Sequence, residues 1–411
     1  MGWIKGFVTN LILILASIAI VIVGVETILR FTKFKYVIKI DDYVRYYYKA
    51  DEIKGYDIVP NVKSILTQND YVVEFEMWSN ELGCFDKPYK GEKEYILMVG
   101  DSFTHAYVPF PHLWGTQIEN LLKFRVLKCG VSGYGTKQEL FKAKEIISKV
   151  KHSPRLIIVG YFWNDLEDDY VFPGNTVIDG YIVLTKAIKN RQTGETFVRR
   201  DLEEQYKNWK RYGHEPPSLK AQITHWLKRH SVIAALIFPF YTRNLNPWNR
   251  GIPKNQSKEK WPLVFLEYPW LKEAWANHLN NFKLFKQLAI DNQAELLIVI
   301  IPTKQQVYGF LRNWQDIDPE KPNKIVHEFF KKEQIRYIDL LPAFKKYANQ
   351  EPRRNLDPEK DFFYRYDGHW NSKGERLAAL LVSQYIIVNG ILQVAEPEMK
   401  ARVINQKLKE F

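Results

Sequence analysis

Two short stretches, far apart in the chain, hold the residue types that nucleophilic catalysis needs. Gly100-Asp101-Ser102-Phe103 offers a serine hydroxyl directly after the apolar run Tyr95–Val99. Asp367-Gly368-His369-Trp370 offers an imidazole with a carboxylate two residues before it. A serine hydroxyl is a weak nucleophile at ordinary pH and needs a base to take its proton, a task for which histidine has a suitable pKa. A carboxylate beside the imidazole fixes its tautomer and stabilises the imidazolium that forms. Gly368 gives that loop the backbone latitude to bring Asp367 and His369 together. Each stretch alone also has a plain structural explanation. Gly, Asp and Ser suit any strand-to-helix turn, and a polar loop suits the cap of a helix starting near Ser372.

Two further segments follow apolar runs in the same manner. Gly130-Val131-Ser132-Gly133-Tyr134-Gly135 comes after Arg125–Cys129, and Phe162-Trp163-Asn164-Asp165 comes after Leu156–Tyr161. Acyl transfer needs donors aimed at the oxyanion of a tetrahedral intermediate. A glycine N–H, an asparagine amide and the N–H of the serine itself would serve.

These segments need elements to position them. Tyr95–Val99, Arg125–Cys129, Leu156–Tyr161, Glu295–Ile301 and Arg336–Asp339 read as short buried strands. Helical patterns lie around His112–Lys123, Thr136–Lys151, Ala274–Asn292, Asn323–Lys332 and Ser372–Val388. Strands alternating with helices predict a parallel sheet covered on both faces, a flavodoxin-like three-layer α/β/α sandwich of about five strands. In such sheets ligands bind at the carboxyl ends of the strands, where all four motif segments fall.

Residues from about 166 to 274 interrupt the alternation with an insertion rich in Trp, Tyr, Lys and Arg, whose aromatic residues could stack on sugars or cover an acyl chain, or simply pack. Within it, Tyr181–Thr185 and Thr196–Arg199 predict a hairpin. The alternating run Tyr71–Phe75 predicts a strand or hairpin ahead of the main domain. Asp165, Glu167, Asp168 and Asp169 read as a solvated acidic turn, since no spaced set of cation ligands follows. Lys304, in Pro302-Thr303-Lys304, is placed either to touch an anionic substrate or to lie free in water.

No residue from Phe7 to Val25 is charged, and as a helix this stretch spans roughly 28 Å, about one hydrocarbon core. Val23-Gly24-Val25-Glu26 is a poor cleavage site, so the segment reads as an uncleaved, single-pass membrane anchor rather than a signal peptide or a buried core helix. Arg30, Lys33, Lys35 and Lys39 follow it while only Lys5 and the amino terminus precede it, a bias that taken literally would keep the domain in the cytoplasm. The expected organisation is an anchor at 1–32, an extension at 33–90, a catalytic domain at 91–392 and a tail at 393–411. The 411 residues carry 59 Lys plus Arg against 47 Asp plus Glu, a net charge of +12 that suits an anionic surface. Without a zinc finger, RNA-binding signature or basic stripe, nucleic acid is not an expected partner. The two cysteines, Cys84 and Cys129, cannot build a disulfide framework or a cysteine-based zinc site. One bridge is open to them in an oxidising compartment, although Cys129 also reads as a small buried side chain.

The ordered blocks resemble the GDSL/SGNH hydrolase superfamily, whose motifs supply Ser, Gly, Asn and then Asp-x-x-His or a close variant. Gly100-Asp101-Ser102 resembles the first block, Gly133 the second, Asn164 the third, and Asp367 with His369 the last. The likeness runs from about residue 79 to 388, outside the insertion. It implies Ser102 as nucleophile, His369 as base and later acid, and Asp367 as the residue orienting His369. It also implies an oxyanion hole of Ser102 N–H, Gly133 N–H and the Asn164 side chain. The last block is one residue tighter than the common spacing, and Asp-x-His-Trp resembles polysaccharide acetyl-transfer enzymes. In alginate-acetylation relatives, however, the Asp-His block precedes the serine block, and here it follows. The resemblance implies an esterase or O-acyltransferase that works through a seryl ester without metal or organic cofactor. Its substrate would be an envelope glycan or lipid ester, and its place the outer face of a bacterial inner membrane. A catalytically silent scaffold on the same fold is the alternative.

Overall fold

The computed structural model describes residues 2–32, 47–68, 73–105, 107–178, 181–198, 227, 230–234, 236–237, 263–309, 317–348, 361–364 and 367–411. The chain divides into two compact units. One comprises Met1–Asp42, Thr67–Glu74 and Asn208–Gln256, the other Tyr43–Leu66, Phe75–Lys207 and Ser257–Phe411.

The first unit holds helix α1, Gly2–Arg30. Its stretch Gly6–Arg30 is long and apolar enough to cross a membrane, and its most apolar window is not covered by protein.

The second unit is built on a parallel sheet of β1 (Ile96–Gly100), β2 (Val126–Lys128), β3 (Leu156–Tyr161), β4 (Glu295–Ile300) and β5 (Tyr337–Asp339), in the order β5-β4-β3-β1-β2. This is the flavodoxin-like arrangement, in which strand order reverses between β1 and β3 and leaves a crevice at their carboxyl ends. β1 and β3 are buried along their whole length, because helices cover both faces. Alternate residues of β1 feed two cores. Leu97 and Val99 point into one, against α3 (Thr136–Val150), α5 (Leu271–Asp291) and α7 (Lys321–Lys332). Ile96 and Met98 point into the other, against α2 (Trp114–Leu122), α8 (Leu341–Tyr347), α9 (Ser372–Val388) and α10 (Pro397–Leu408). Two short helices, α4 (Asp165–Val171) and α6 (Lys304–Tyr308), start at the carboxyl ends of β3 and β4.

The paired glycines of the central strands let the site approach the sheet. Gly100 lies opposite Gly160, and a Cβ added to either would sit 2.2 or 2.4 Å from Thr104 Oγ1. Any side chain there would push the turn carrying Ser102 off the strand ends.

The strand near Tyr71–Phe75 is found at Val73–Trp78, paired with Lys63–Gln68. The hairpin expected in the insertion is two hairpins. Tyr181–Leu184 pairs with Asn175–Ile178, and Glu195–Val198 pairs with Lys186–Asn190. The glycine turn explains the change of partner. Asn190 Oδ1 accepts from the N–H groups of Gln192 and Thr193, and Gly194 takes φ +75°, so the turn closes on the strand directly before it.

Cys84 and Cys129 form a disulfide across 45 residues of sequence. The expectation of a merely buried Cys129 is thereby corrected. The bond clamps the loop before β1 to the end of β2, one residue ahead of the Gly130–Gly135 segment. Replacing both cysteines with serine should cost about 2–4 kcal/mol of unfolding free energy. Chemical denaturation of wild type and double variant, with and without reductant, measures this, and equal midpoints would show that packing alone holds the loop.

Candidate active site

Ser102 follows β1 on a single tight turn. Asp101 Oδ1 accepts the Phe103 N–H at 2.9 Å, and the Asp101 carbonyl accepts from Thr104 and His105 N–H, both at 3.1 Å. The helix expected around His112–Lys123 is α2, which begins at Trp114.

The opposite wall is the loop before α9. Phe363 bridges to Trp370, and Tyr364 N–H donates to the His369 carbonyl at 3.0 Å. Asn371 caps α9 by accepting from Lys373 and Gly374 N–H at 2.9 and 3.0 Å. Trp370 is fully buried, stacked on Phe344 and edge-on to Phe103. These ties leave His369 facing Ser102, with His369 Nε2 2.7 Å from Ser102 Oγ and Nδ1 2.5 Å from Asp367 Oδ1. Asp367 Oδ1 also accepts the His369 backbone N–H at 2.8 Å. With Nδ1–H donated to the carboxylate, the Nε2 lone pair is left for the serine proton. Burial raises the Asp367 carboxyl, but hydrogen bonding to His369, the imidazolium charge and Lys304 outweigh it, and its pKa lies below the ordinary value.

Tyr107 carries no readable signal in the sequence, and Lys304 takes a place other than the two expected of it. Tyr107 stacks on the imidazole, centroids 3.6 Å apart and planes 14° from parallel, with Phe103 also against the ring at 4.9 Å. Lys304 Nζ donates to the carbonyls of Tyr364 at 2.6 Å and Asp367 at 3.3 Å. It therefore ties the end of β4 to the Asp367 loop instead of lying free in water.

The Gly130–Gly135 segment lies beside β1, with Val131 N–H donating to the Gly100 carbonyl at 2.9 Å. Gly133 takes φ +78°, and a Cβ there would be 2.8 Å from the Tyr56 hydroxyl, so the position needs glycine. A hydrogen-bond chain holds its neighbour. Tyr56 OH donates to the Ser132 carbonyl at 2.8 Å, and His105 Nδ1 lies 2.9 Å from Ser132 Oγ. His105 Nε2 lies 3.2 Å from Tyr47 OH, whose proton goes to the Trp78 carbonyl. Nε2 is thus the protonated nitrogen, and Nδ1 accepts from the Ser132 hydroxyl. Burial, with the Lys142 charge, pushes the His105 pKa down to about 3, so this imidazole stays neutral.

Asn164, directly before α4, donates its Nδ2 to Asp168 at 3.0 Å, while its buried Oδ1 has no hydrogen-bond partner among the described residues. The carboxylates after it are not a solvated turn. Asp165 is fully buried and accepts from the Thr136 hydroxyl at 3.1 Å. Asp169 accepts from Lys137 N–H and Asn281 Nδ2 and bonds His278 Nδ1 at 2.7 Å. With Asp101 and Glu139 these carboxyls form a buried acidic floor. Burial, partly offset by the Phe103 N–H and the His369 charge, raises Asp101 to about 6. Burial and one another's charges push Glu139, Asp165 and Asp168 well above the ordinary range. No group of three or more His, Cys, Asp or Glu side chains able to hold a metal ion occurs among the described residues.

Residues 265–410 match the family described as the SGNH hydrolase-like domain of the acetyltransferase AlgX. Over those residues the chain is similar to an SGNH hydrolase-like domain. The matched part holds Asp367 and His369, while Ser102, Gly133 and Asn164 lie before it in sequence, after β1, β2 and β3. No curated protein matches the chain. Solved structures similar to it include an acetyl xylan esterase, AlAXEase, at 12% identity over 72% of this chain and 99% of that one, TM-score 0.35. A catalytic mutant of Axe2, an acetylxylan esterase from Geobacillus stearothermophilus, shares 14% identity over 71% of this chain and 94% of its own, TM-score 0.35. TesA shares 11% identity over 72% and 99%, TM-score 0.35.

A carboxyl whose pKa is raised by folding binds its proton more tightly in the native state than in the unfolded one. Its contribution to stability is present at low pH and, for Asp101, is lost as pH climbs from about 4 through about 6. Asp367, lowered by folding, acts in the opposite sense below about pH 4. Glu139 has both carboxyl oxygens buried without a partner among the described residues. Glu139→Gln should therefore raise the unfolding free energy at pH 8 by an amount on the order of 1–3 kcal/mol, and the midpoint with it, and change both little at pH 5. Thermal unfolding at both pH values is the check, and an equal or destabilising effect at pH 8 would contradict the buried acidic floor.

Proposed function

We propose that this SGNH protein is a serine esterase or O-acyltransferase that acts through a seryl ester on an envelope glycan or lipid ester. The observation that carries the reading is the aligned chain Ser102 Oγ, His369 Nε2, His369 Nδ1 and Asp367 Oδ1, with separations of 2.7 and 2.5 Å. His369 takes the Ser102 proton as Oγ attacks the acyl carbon, and the imidazolium is held by Asp367 and the face of Tyr107. Collapse of the tetrahedral intermediate breaks the ester bond, and His369 returns the proton to the departing alcohol oxygen. Water, or the hydroxyl of an acceptor, then attacks the seryl ester with His369 again as base. Ser102 N–H, Gly133 N–H and the Asn164 side chain are the oxyanion donors in this reading. The chain through Ser132, His105 and Tyr47 fixes the backbone next to Gly133, so that donor costs little reorganisation.

In the same reading α1 is a single-pass anchor in a bacterial inner membrane, and the catalytic domain faces the periplasm or exterior. The Cys84–Cys129 disulfide supports that side of the membrane, because such bonds persist in oxidising compartments. It weighs against the basic flank after α1, which is a poor guide for large exported domains.

A fluorophosphonate probe should label the detergent-solubilised wild type and fail on Ser102→Ala and His369→Ala. On a chromogenic ester, Asp367→Asn should retain the fold and lose about 10³–10⁴-fold in kcat. Undiminished turnover in Ser102→Ala would rule the mechanism out.

A further inference from the structure

The carboxyl-terminal end of α1 does more than leave the apolar span. Glu26, one turn before the end of α1, accepts from the Ser231 hydroxyl at 2.9 Å and from the N–H groups of Val232 and Ile233 at 2.9 and 3.1 Å. Arg30 donates from Nε to the same carboxylate at 2.9 Å and from its guanidinium to the His230 carbonyl. Ser231 Oγ in turn accepts the Ala234 N–H at 3.1 Å. The start of a helical stretch in the insertion, described at residues 232–234 and 236–237, is thus capped by the anchor itself. Val232 is fully buried there against Leu29 and Leu236.

The chemistry of this junction is that of low-dielectric depth. Free backbone donors at a helix start are harmless in water and costly in lipid, and a lone charge is costlier still. Here the first donors are met by a carboxylate, and that carboxylate is neutralised by an arginine on its own helix. Around the junction apolar side chains lie bare, with Ile28 65%, Phe31 87% and Ile237 58% exposed. They continue the uncovered apolar surface of α1 beyond its last acidic residue. A bare apolar surface joined to an apolar span is covered by the medium that covers the span.

We propose that the described residues 231–234 and 236–237 are a second membrane contact, a helical part of the insertion lying at the lipid–water boundary with Ile237 among the acyl chains. It rests on the reading of α1 as a membrane span. Glu26 and Arg30 hold the segment at that depth, so the insertion is fixed to the bilayer surface as well as to the chain.

The two native cysteines are paired with each other, so an introduced cysteine supplies the one free thiol for a spin label. Full-length protein in phosphatidylethanolamine–phosphatidylglycerol nanodiscs would carry the label at Ile237→Cys, at Ile18→Cys in mid-span, or at Lys93→Cys as the water reference. The expected result is a label at 237 that, like the one at 18, collides more with oxygen than with a water-soluble nickel chelate. A label at 237 that behaves like the one at 93, while 18 reports lipid, overturns the inference and leaves the anchor standing. A water-exposed label at 18 overturns both. Leu236→Cys, at a position partly buried against Val232, repeats the measurement if the label at 237 disturbs the segment, and chelate access there as free as at 93 would also overturn it.

Discussion

The contact between the Ser102 hydroxyl and the His369 imidazole joins residues 267 positions apart, and the second compact unit is arranged around it. A proton moves from serine to histidine only if the two heavy atoms stay within hydrogen-bond reach. One partner must therefore stand on the rigid end of β1 and the other on a loop with almost no freedom. The first demand is met by Gly100 and Gly160, which let the turn settle onto the sheet around Thr104. The second is met by Trp370 in the core, the Asn371 cap on α9, and Lys304 reaching from β4 to the carbonyls of Tyr364 and Asp367. Elements far apart in sequence thus converge on one pair of atoms, and the flavodoxin-like strand order brings β1, β3 and β4 to the same edge.

The same site shows how differently two histidines can be used. His369 meets a carboxylate at Nδ1 and leaves Nε2 for the serine. His105, a few residues after Ser102, also touches a serine, but burial keeps it neutral and its partners are a tyrosine hydroxyl and the hydroxyl of Ser132. Its conjugate acid is too strong for it to take a serine proton near neutral pH, so it serves as a fixed acceptor that steadies the loop carrying Gly133. Function here depends on which groups surround the imidazole rather than on the residue type.

Much of this was legible before any coordinates. Leu156–Tyr161 is found at its expected bounds because a continuous apolar run has one stable place, the middle of a parallel sheet. Ser102, Asp367 and His369 declare themselves by residue type and by position at strand or helix ends. What stayed hidden depends on partners distant in sequence. Nothing in the sequence around Tyr107 marks it as the ring that stacks on an imidazole more than 250 residues later. Lys304 reads as a loop lysine until the Asp367 loop is placed next to it. Asp165 and Asp169 look like surface charge because their hydrogen-bond partners, Thr136, His278 and Asn281, come from two other helices. The paired hairpins of the insertion were misread for a simpler reason: a glycine turn pairs the strands that touch it, and several short candidate strands lay close by.

Covalent capture of the acyl group tests the central claim most directly. The full-length protein would be mixed with p-nitrophenyl acetate, quenched in acid within the first turnover, and its peptides mapped by mass spectrometry. The account predicts one acetyl group on the peptide containing Ser102, at Ser102 itself, absent from Ser102→Ala and His369→Ala. Turnover with no adduct, or an adduct on Ser132 in place of Ser102, would contradict it.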